Sequence, residues 1–547
     1  MESHCESKRV DIKNEERPSQ NQNDAPYGRS NPCKTLTQYA GLFATSVLST
    51  VYPAEKEQRL PEAAYLQGDP YYGQLWNVFD EDGKGSSRMI EAAALLAKQN
   101  PQGLCEWRFG PRRSAVLITR PHHIKALVKD HADAVLHHDS TGSFDQIVGP
   151  KSIFHYSDES TEWQELRAQF TSVLLGPQVL NNDMPRMNTI INSYIDKMLS
   201  LPNKVVDIKE MAHFITMDMI GIKLGFGQVS DHKKRKAIHF ITQVGTQLAT
   251  QKNQVIDQYV PSFFQVCRHS AMQKLIEQGN QFMLNDIIPE QEGNILASKN
   301  WLNPFGKTND EAILKKIKKY LYSQPALDSI KQFYVVGSET TATLMMLVFM
   351  LLADPNHKAK LEKVRSEIDA LSEPSEHWTR ETLAKLNYLN AVIMETLRLY
   401  PPIPDMVYEV TSPFHLSPNE SKAGAGFKPG DKIIVSARTS QRLPEVWGFD
   451  ADLFRPERFE QNKPDEFQFF PFGFGKRRCP GREFAKQEVL FTVAKMVSAF
   501  DFCFVQEKHL AHPFETHQVF TLQLEESSVG IAFHPRNQHE NIRQNRP

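Results

Sequence analysis

Phe472-Gly473-Phe474-Gly475-Lys476-Arg477-Arg478-Cys479-Pro480-Gly481 is a glycine-punctuated loop that closes on a single cysteine. Pro480 suits the first position of a helix, where a missing N–H costs nothing. Beyond it Ala485, Val489, Val493, Met496 and Phe500 recur at steps of four, four, three and four, the spacing of an apolar helix face. Cys479 is therefore predicted at the positive end of a helix dipole, which lowers a thiol pKa and favours the thiolate. Gly473 and Gly475 let the backbone curl around the sulfur and approach a flat cofactor. A lone thiolate held in this way can be the axial ligand of a haem iron. Arg477 offers charge for a haem propionate.

The loop fits the pattern Phe-x-x-Gly-x-Arg-x-Cys-x-Gly at Phe472, Gly475, Arg477, Cys479 and Gly481. In this it resembles the haem-binding loop of the cytochrome P-450 monooxygenases. The resemblance implies a mainly α (α+β) fold, a helical bundle around haem b (iron protoporphyrin IX) with small peripheral β-sheets. It also implies Cys479 as the metal ligand, with Phe472, Gly475, Arg477 and Gly481 shaping the cofactor site. The implied reaction inserts one oxygen atom of O2 into a hydrophobic substrate and reduces the other to water. The electrons would come from a separate reductase or ferredoxin.

Further motifs follow the family order. Glu339 and Thr340 are polar residues inside an apolar helical stretch, where an unpaired charge is costly. Gly337 just ahead weakens a helix interior, so a local break that admits a small ligand and water is expected here. Val336-Gly337-Ser338-Glu339-Thr340-Thr341 resembles the oxygen-activating helix at every position but the first, where Val336 replaces a smaller residue. The resemblance gives Thr340 a hydrogen bond to the activated dioxygen and Glu339 a proton relay from water. Glu395 and Arg398 lie three apart on one helix face and can pair. Arg458, in Phe454-Arg455-Pro456-Glu457-Arg458-Phe459, is the implied third member of that pair. Trp163 and Arg167, four apart, resemble the helix that binds a haem propionate, since a guanidinium fork suits a carboxylate. Many relatives carry an arginine soon after the prolines Pro401-Pro402, where this chain has Tyr408.

The 547 residues carry a net charge of -2, which gives no basic footprint for nucleic acid. Six cysteines without paired spacing point to a reducing compartment rather than a disulfide framework, and Cys503 reads as a core residue. Residues 1–35 are a polar tail expected to be disordered, and 36–52 form a short amphipathic segment. Seventeen residues studded with hydroxyls fall short of a membrane span, so that segment either packs on the protein or touches a membrane peripherally. Residues 53–547 are read as one catalytic domain, and the location as cytoplasmic, with the peripheral contact left open.

Cys105–Phe109 and Ser114–Thr119 flank Gly110-Pro111-Arg112-Arg113 as a β-hairpin, followed by a helix from Pro121 to Lys129. Glu311–Tyr322 reads as a basic amphipathic helix. Pro325–Leu352 reads as a long helix that is apolar all round, hence central in a large core rather than a membrane span. Lys476, Arg478 and Lys486 could guide an acidic electron donor. Ile147, Val148, Ile153, Phe263, Phe264, Ile403, Met406 and Phe520 are the candidate lining of an apolar pocket for a fatty acid, sterol or terpenoid. Two rival readings are a haem-thiolate enzyme that rearranges or dehydrates a substrate without O2, and a non-catalytic haem-binding protein. Glu339-Thr340 argues against the first.

Overall fold

A computed structural model describes residues 64–65, 100, 103–108, 114–137, 148–174, 176–201, 204–251, 273–416, 425–461, 463–506, 514, 516–518, 521–524 and 528–536. The tail 1–35, the segment 36–52, and Ile147, Phe263, Phe264 and Phe520 lie outside the described residues.

The strands in chain order are β1 Ala64–Tyr65, β2 Leu104–Arg108, β3 Ser114–Ile118, β4 Val135–His137, β5 Val205–Asp207, β6 Asp405–Val410, β7 Phe414–Leu416, β8 Ala425–Phe427, β9 Lys432–Ser436, β10 Phe500–Phe504, β11 Thr516–Gln518, β12 Leu522–Leu524 and β13 Gly530–Pro535. The expected hairpin is β2–β3, antiparallel with Glu106 opposite Val116. It sits in a six-stranded sheet of order β1-β2-β3-β9-β6-β4. Val116, Ile118, Tyr408, Ile433 and Val435 from this sheet pack with Phe470 and Phe474, which flank and enter the cysteine loop. The sheet is thus the wall against which that loop is built. A second sheet, of order β10-β13-β5, packs Phe500, Phe502, Ile531 and Phe533 into the main core. Cys503 lies on β10 and is only half-buried, because strand alternation turns its neighbour Phe502 inward instead.

The helices that matter for the site are α1 Thr161–Leu174, α2 Pro177–Ser200, α3 Ile208–Leu224, α4 Asp231–Gln251, α5 Gln324–Ala353, α6 Lys358–Asp369, α7 Asn387–Leu399 and α8 Arg482–Ala499. Side-chain capping starts α3: Asp207 accepts from the N–H groups of Lys209 and Glu210 at 2.9 and 3.3 Å, satisfying donors that a helix end leaves free. Gly225 at φ 74 ends it, as a left-handed residue does without a Cβ penalty. The basic helix is observed at Glu311–Leu321, capped by Asp310. The helix after β3 is α-helical only over Pro121–Lys125 and continues as a wider π turn, Ala126–Asp130.

Among the described residues α5 is the one helix long and apolar enough to cross a membrane, and it is largely buried in the fold. Leu344 to Leu352 are all buried. They pack in one continuous core with side chains of α1, α2, α3, α7 and α8. The predicted break takes a definite form: Phe333–Ser338 is a π-helical turn ahead of Glu339, a widening often found at functional sites. Gly337 has a second reason as well. A Cβ there would stand 2.9 Å from Cγ1 of Ile220 on α3, so glycine lets the two helices approach.

Candidate active site

Cys479 ends its loop as the sequence suggests, but α8 starts later than expected. Gly481 is the N-cap and Arg482 the first helical residue, with Pro480 in the turn before. The Cys479 N–H donates to the Phe472 carbonyl at 2.9 Å, closing the loop. Gly473 and Gly475 adopt φ 69 and 65, the left-handed region that glycine enters freely. Burial pushes the Cys479 thiol up from its ordinary value. The N–H groups of Gly481 and Arg482 and the charges of Arg167 and Arg482 pull it down by less. The expectation that the helix end alone favours a thiolate is therefore corrected: desolvation wins, and a metal is what would remove the proton. Cys479 lies deep in the fold yet keeps some accessible surface.

Arg167 acts electrostatically on Cys479 from α1, and its guanidinium lies 5.9 Å from the Trp163 ring centroid. Arg477 lies over the same ring at 5.1 Å, and it donates to the carbonyls of Ile153 and Tyr156. Trp163 is buried, and its indole N–H has no partner. The segment that carries Ile153 is fixed from α5: Lys151 N–H donates to Asp328 at 3.0 Å and Ile153 N–H to Gln332 at 3.3 Å. The structure thus brings Trp163, Arg167, Arg477 and Cys479 together from distant parts of the sequence.

The Glu395, Arg398 and Arg458 cluster forms as read. Arg398 grips Glu395 with two bonds of 2.7 Å, both side chains being fully buried. Its Nη1 donates to the carbonyls of Gln441 and Ala451, and Nη2 also reaches that of Leu453. Arg458 stands 3.5 Å from Glu395 and binds Asp450 at 2.7 Å. Every charge in the cluster has a partner, so it ties α7 to the segment 441–458.

Glu339 and Thr340 follow the π turn. The Thr340 hydroxyl donates to the Val336 carbonyl at 2.8 Å. Glu339 is buried and bound to two side chains absent from the sequence reading: His213 of α3 at 2.8 Å and Thr521 at 3.2 Å. His213 sits in an apolar stretch of α3, where a lone histidine reads as packing, and no local spacing points to Glu339. Val336 packs in a small apolar cluster with Val148, Val335 and Ile241, beside Phe154 and Phe240. Ile403 and Met406 are half-buried, with the Met406 sulfur 3.5 Å from where a Cβ on Gly473 would stand. Tyr408 is buried in the sheet core, its ring parallel to Phe474. Burial holds its phenol proton on well above the ordinary range. Lys476 is exposed, whereas Lys486 is paired with Glu483 at 3.1 Å.

A profile of the family described as "Cytochrome P450" matches residues 75–529. The chain is 29% identical over 335 residues to echinocystic acid 23-monooxygenase of Saponaria officinalis, covering 57% of this chain and 60% of the relative. It is 26% identical over 400 residues to cytochrome P450 71A12 of Arabidopsis thaliana, covering 70% and 75%. It is 31% identical over 243 residues to the bifunctional cytochrome P450/NADPH--P450 reductase ALT2 of Alternaria alternata, covering 43% and 21%. The chain belongs to the cytochrome P450 family.

Membership implies a haem iron cofactor. The residues present fit one: a buried indole N–H without a partner, two guanidinium groups over that indole, and a deep cysteine beneath backbone donors.

Proposed function

We propose that this protein is a haem-thiolate monooxygenase that takes haem b, with Cys479 as the iron ligand. It would insert one oxygen atom of O2 into a hydrophobic substrate and release the other as water. The meeting of Cys479 with Arg167, Arg477 and Trp163 carries the reading. Haem bound through a thiolate supplies dioxygen activation, the sulfur favouring O–O cleavage.

The chain's own residues do the rest. The N–H groups of Gly481 and Arg482 would favour negative charge on the sulfur when it holds iron. Trp163, Arg167 and Arg477 would bind the propionates, with charge-assisted bonds that fix the ring's orientation. Thr340 and Glu339 would place a hydroxyl and a proton where oxygen is reduced. Val148, Ile153, Val336, Ile403 and Met406 would supply an apolar lining, which favours a fatty acid, sterol or terpenoid and excludes water. A monooxygenase name among the relatives supports oxygen insertion. The electron donor is proposed as a separate protein, drawn to Lys476 and Arg478. In one relative the reductase is joined to the P450 by name.

The test is the ferrous–carbon monoxide spectrum of purified protein. A thiolate-type band that is lost in Cys479→His, with product formed from a lipid panel and a surrogate reductase, supports the proposal. A histidine-type band in the unaltered protein overturns it.

A further inference from the structure

Glu339 does not face solvent as a free carboxylate; it belongs to a buried set of groups drawn from three parts of the chain. His213 Nδ1 lies 2.7 Å from the Lys209 carbonyl, one turn back on α3. A carbonyl carries no proton, so Nδ1 must donate to it. That fixes the tautomer and leaves Nε2 facing Oε2 of Glu339 at 2.8 Å. An imidazole nitrogen and a carboxylate oxygen at this distance need one proton between them, on either the nitrogen or the oxygen. Oε1 of Glu339 is occupied in turn by the Thr521 hydroxyl, at 3.2 Å. Both partners of the pair are buried, at 5% and 9% side-chain exposure.

We infer that His213 is the positioning residue of Glu339: it fixes the carboxylate beside Thr340 and shares with it the proton that Glu339 delivers during oxygen reduction, while Thr521 holds the second oxygen. The inference rests on the monooxygenase reading. Insertion of one oxygen atom with release of the other as water consumes a pair of electrons, from the redox partner, and a pair of protons. A carboxyl group that hands over a proton deep in the core must be recharged there. Among the described residues His213 is an ionisable group in direct contact that can do it.

The electrostatics agree. Burial alone would lower the proton affinity of His213, but the Glu339 charge and hydrogen bond, with the Lys209 carbonyl, outweigh it, and the net shift is upward. Lys209 is the opposing charge on the same helix. Further along α3, Asp218 accepts from Tyr194 at 2.8 Å and pairs with Lys234 of α4, so that buried charge is already balanced. On α5, Tyr334 precedes the pair, and burial and Asp218 keep its proton on.

The test uses the holoprotein with His213→Leu, His213→Gln and Thr521→Val, each checked for haem content. In His213→Leu, product formed per electron consumed should fall by roughly tenfold or more, on the scale of the loss when an outer partner of a metal ligand is removed. His213→Gln keeps a donor for Oε2 and should retain more coupling, but without the pH inflection of the unaltered enzyme. Should the leucine variant fail to fold, the glutamine variant and Thr521→Val, with a severalfold loss of coupling, decide the matter. An independent readout is the 15N-imidazole titration of the ferrous–carbon monoxide form. One histidine should hold its proton above the ordinary range, vanish in His213→Gln and titrate lower in Glu339→Gln. Unchanged coupling and pH profile in the haem-loaded variants, or no such imidazole, overturn the inference. If the unaltered enzyme makes no oxygenated product, the monooxygenase reading fails, while the titration still judges the His213–Glu339 pair.

Discussion

Arg477 links the cysteine loop to a distant part of the sequence: its guanidinium lies 5.1 Å from the Trp163 ring centroid, while its nitrogens hold the carbonyls of Ile153 and Tyr156. The cation–π contact and the two charge-assisted bonds act on one side chain. Replacing it with lysine keeps the charge but loses the planar fork. Arg477→Lys should destabilise the holoprotein by about 1–3 kcal/mol and lower its haem content. Denaturant unfolding and a haem assay check both.

Glu395 receives two bonds from Arg398, a third from the Arg455 N–H at 2.9 Å, and the charge of Arg458. Removing it leaves the fully buried Arg398 guanidinium without its anion. Glu395→Ala should cost about 3–5 kcal/mol, measured as a lower urea midpoint and loss of the holo spectrum. Lys385→Ala, at the exposed pair with Glu373, should cost much less, about 0–1 kcal/mol.

Gly337 permits the close approach of α5 to Ile220. Gly337→Ala gains helix propensity but inserts a methyl group into a filled space, for a net loss of about 1–3 kcal/mol. The same change in an Ile220→Ala background should cost less, and a double-mutant cycle in urea should report coupling of about 1 kcal/mol. Equal costs in both backgrounds would mean that Ile220 is not the obstacle.

Glu488 on α8 is fully buried, with both carboxylate oxygens unpartnered, and burial holds its pKa well above the ordinary carboxylate value. The folded state therefore keeps a proton that the unfolded chain releases. Its contribution is greatest below the unfolded pKa and declines as pH rises towards the folded one. Across that window the group should lower unfolding free energy by about 1.4 kcal/mol per pH unit. Glu488→Gln should remove this slope and gain stability at neutral pH, as read from urea unfolding at a series of pH values.

Local patterns carried much of this fold. The cysteine loop, the Glu395–Arg398 spacing, the β2–β3 hairpin and the apolar run in α5 are each written within a few neighbouring residues. What stayed hidden depends on distance or on competition between forces. Glu339 meets His213 across 126 residues and Thr521 across 182, and neither partner stands out in its own segment. The direction of the Cys479 shift depends on desolvation, which sequence position does not report. Pro480 looked like a helix start because proline suits that place, but the turn that aims the sulfur at the helix end occupies it first.

The π turn at Phe333–Ser338 takes up one extra residue within a single turn of α5. Asp328 and Gln332 on the first half anchor residues 151 and 153, and Glu339 on the second meets His213. Winding the same number of residues as a uniform α-helix would turn one half against the other by about 100°. Both sets of anchors could not then be kept, so the widened turn is what lets one helix serve both.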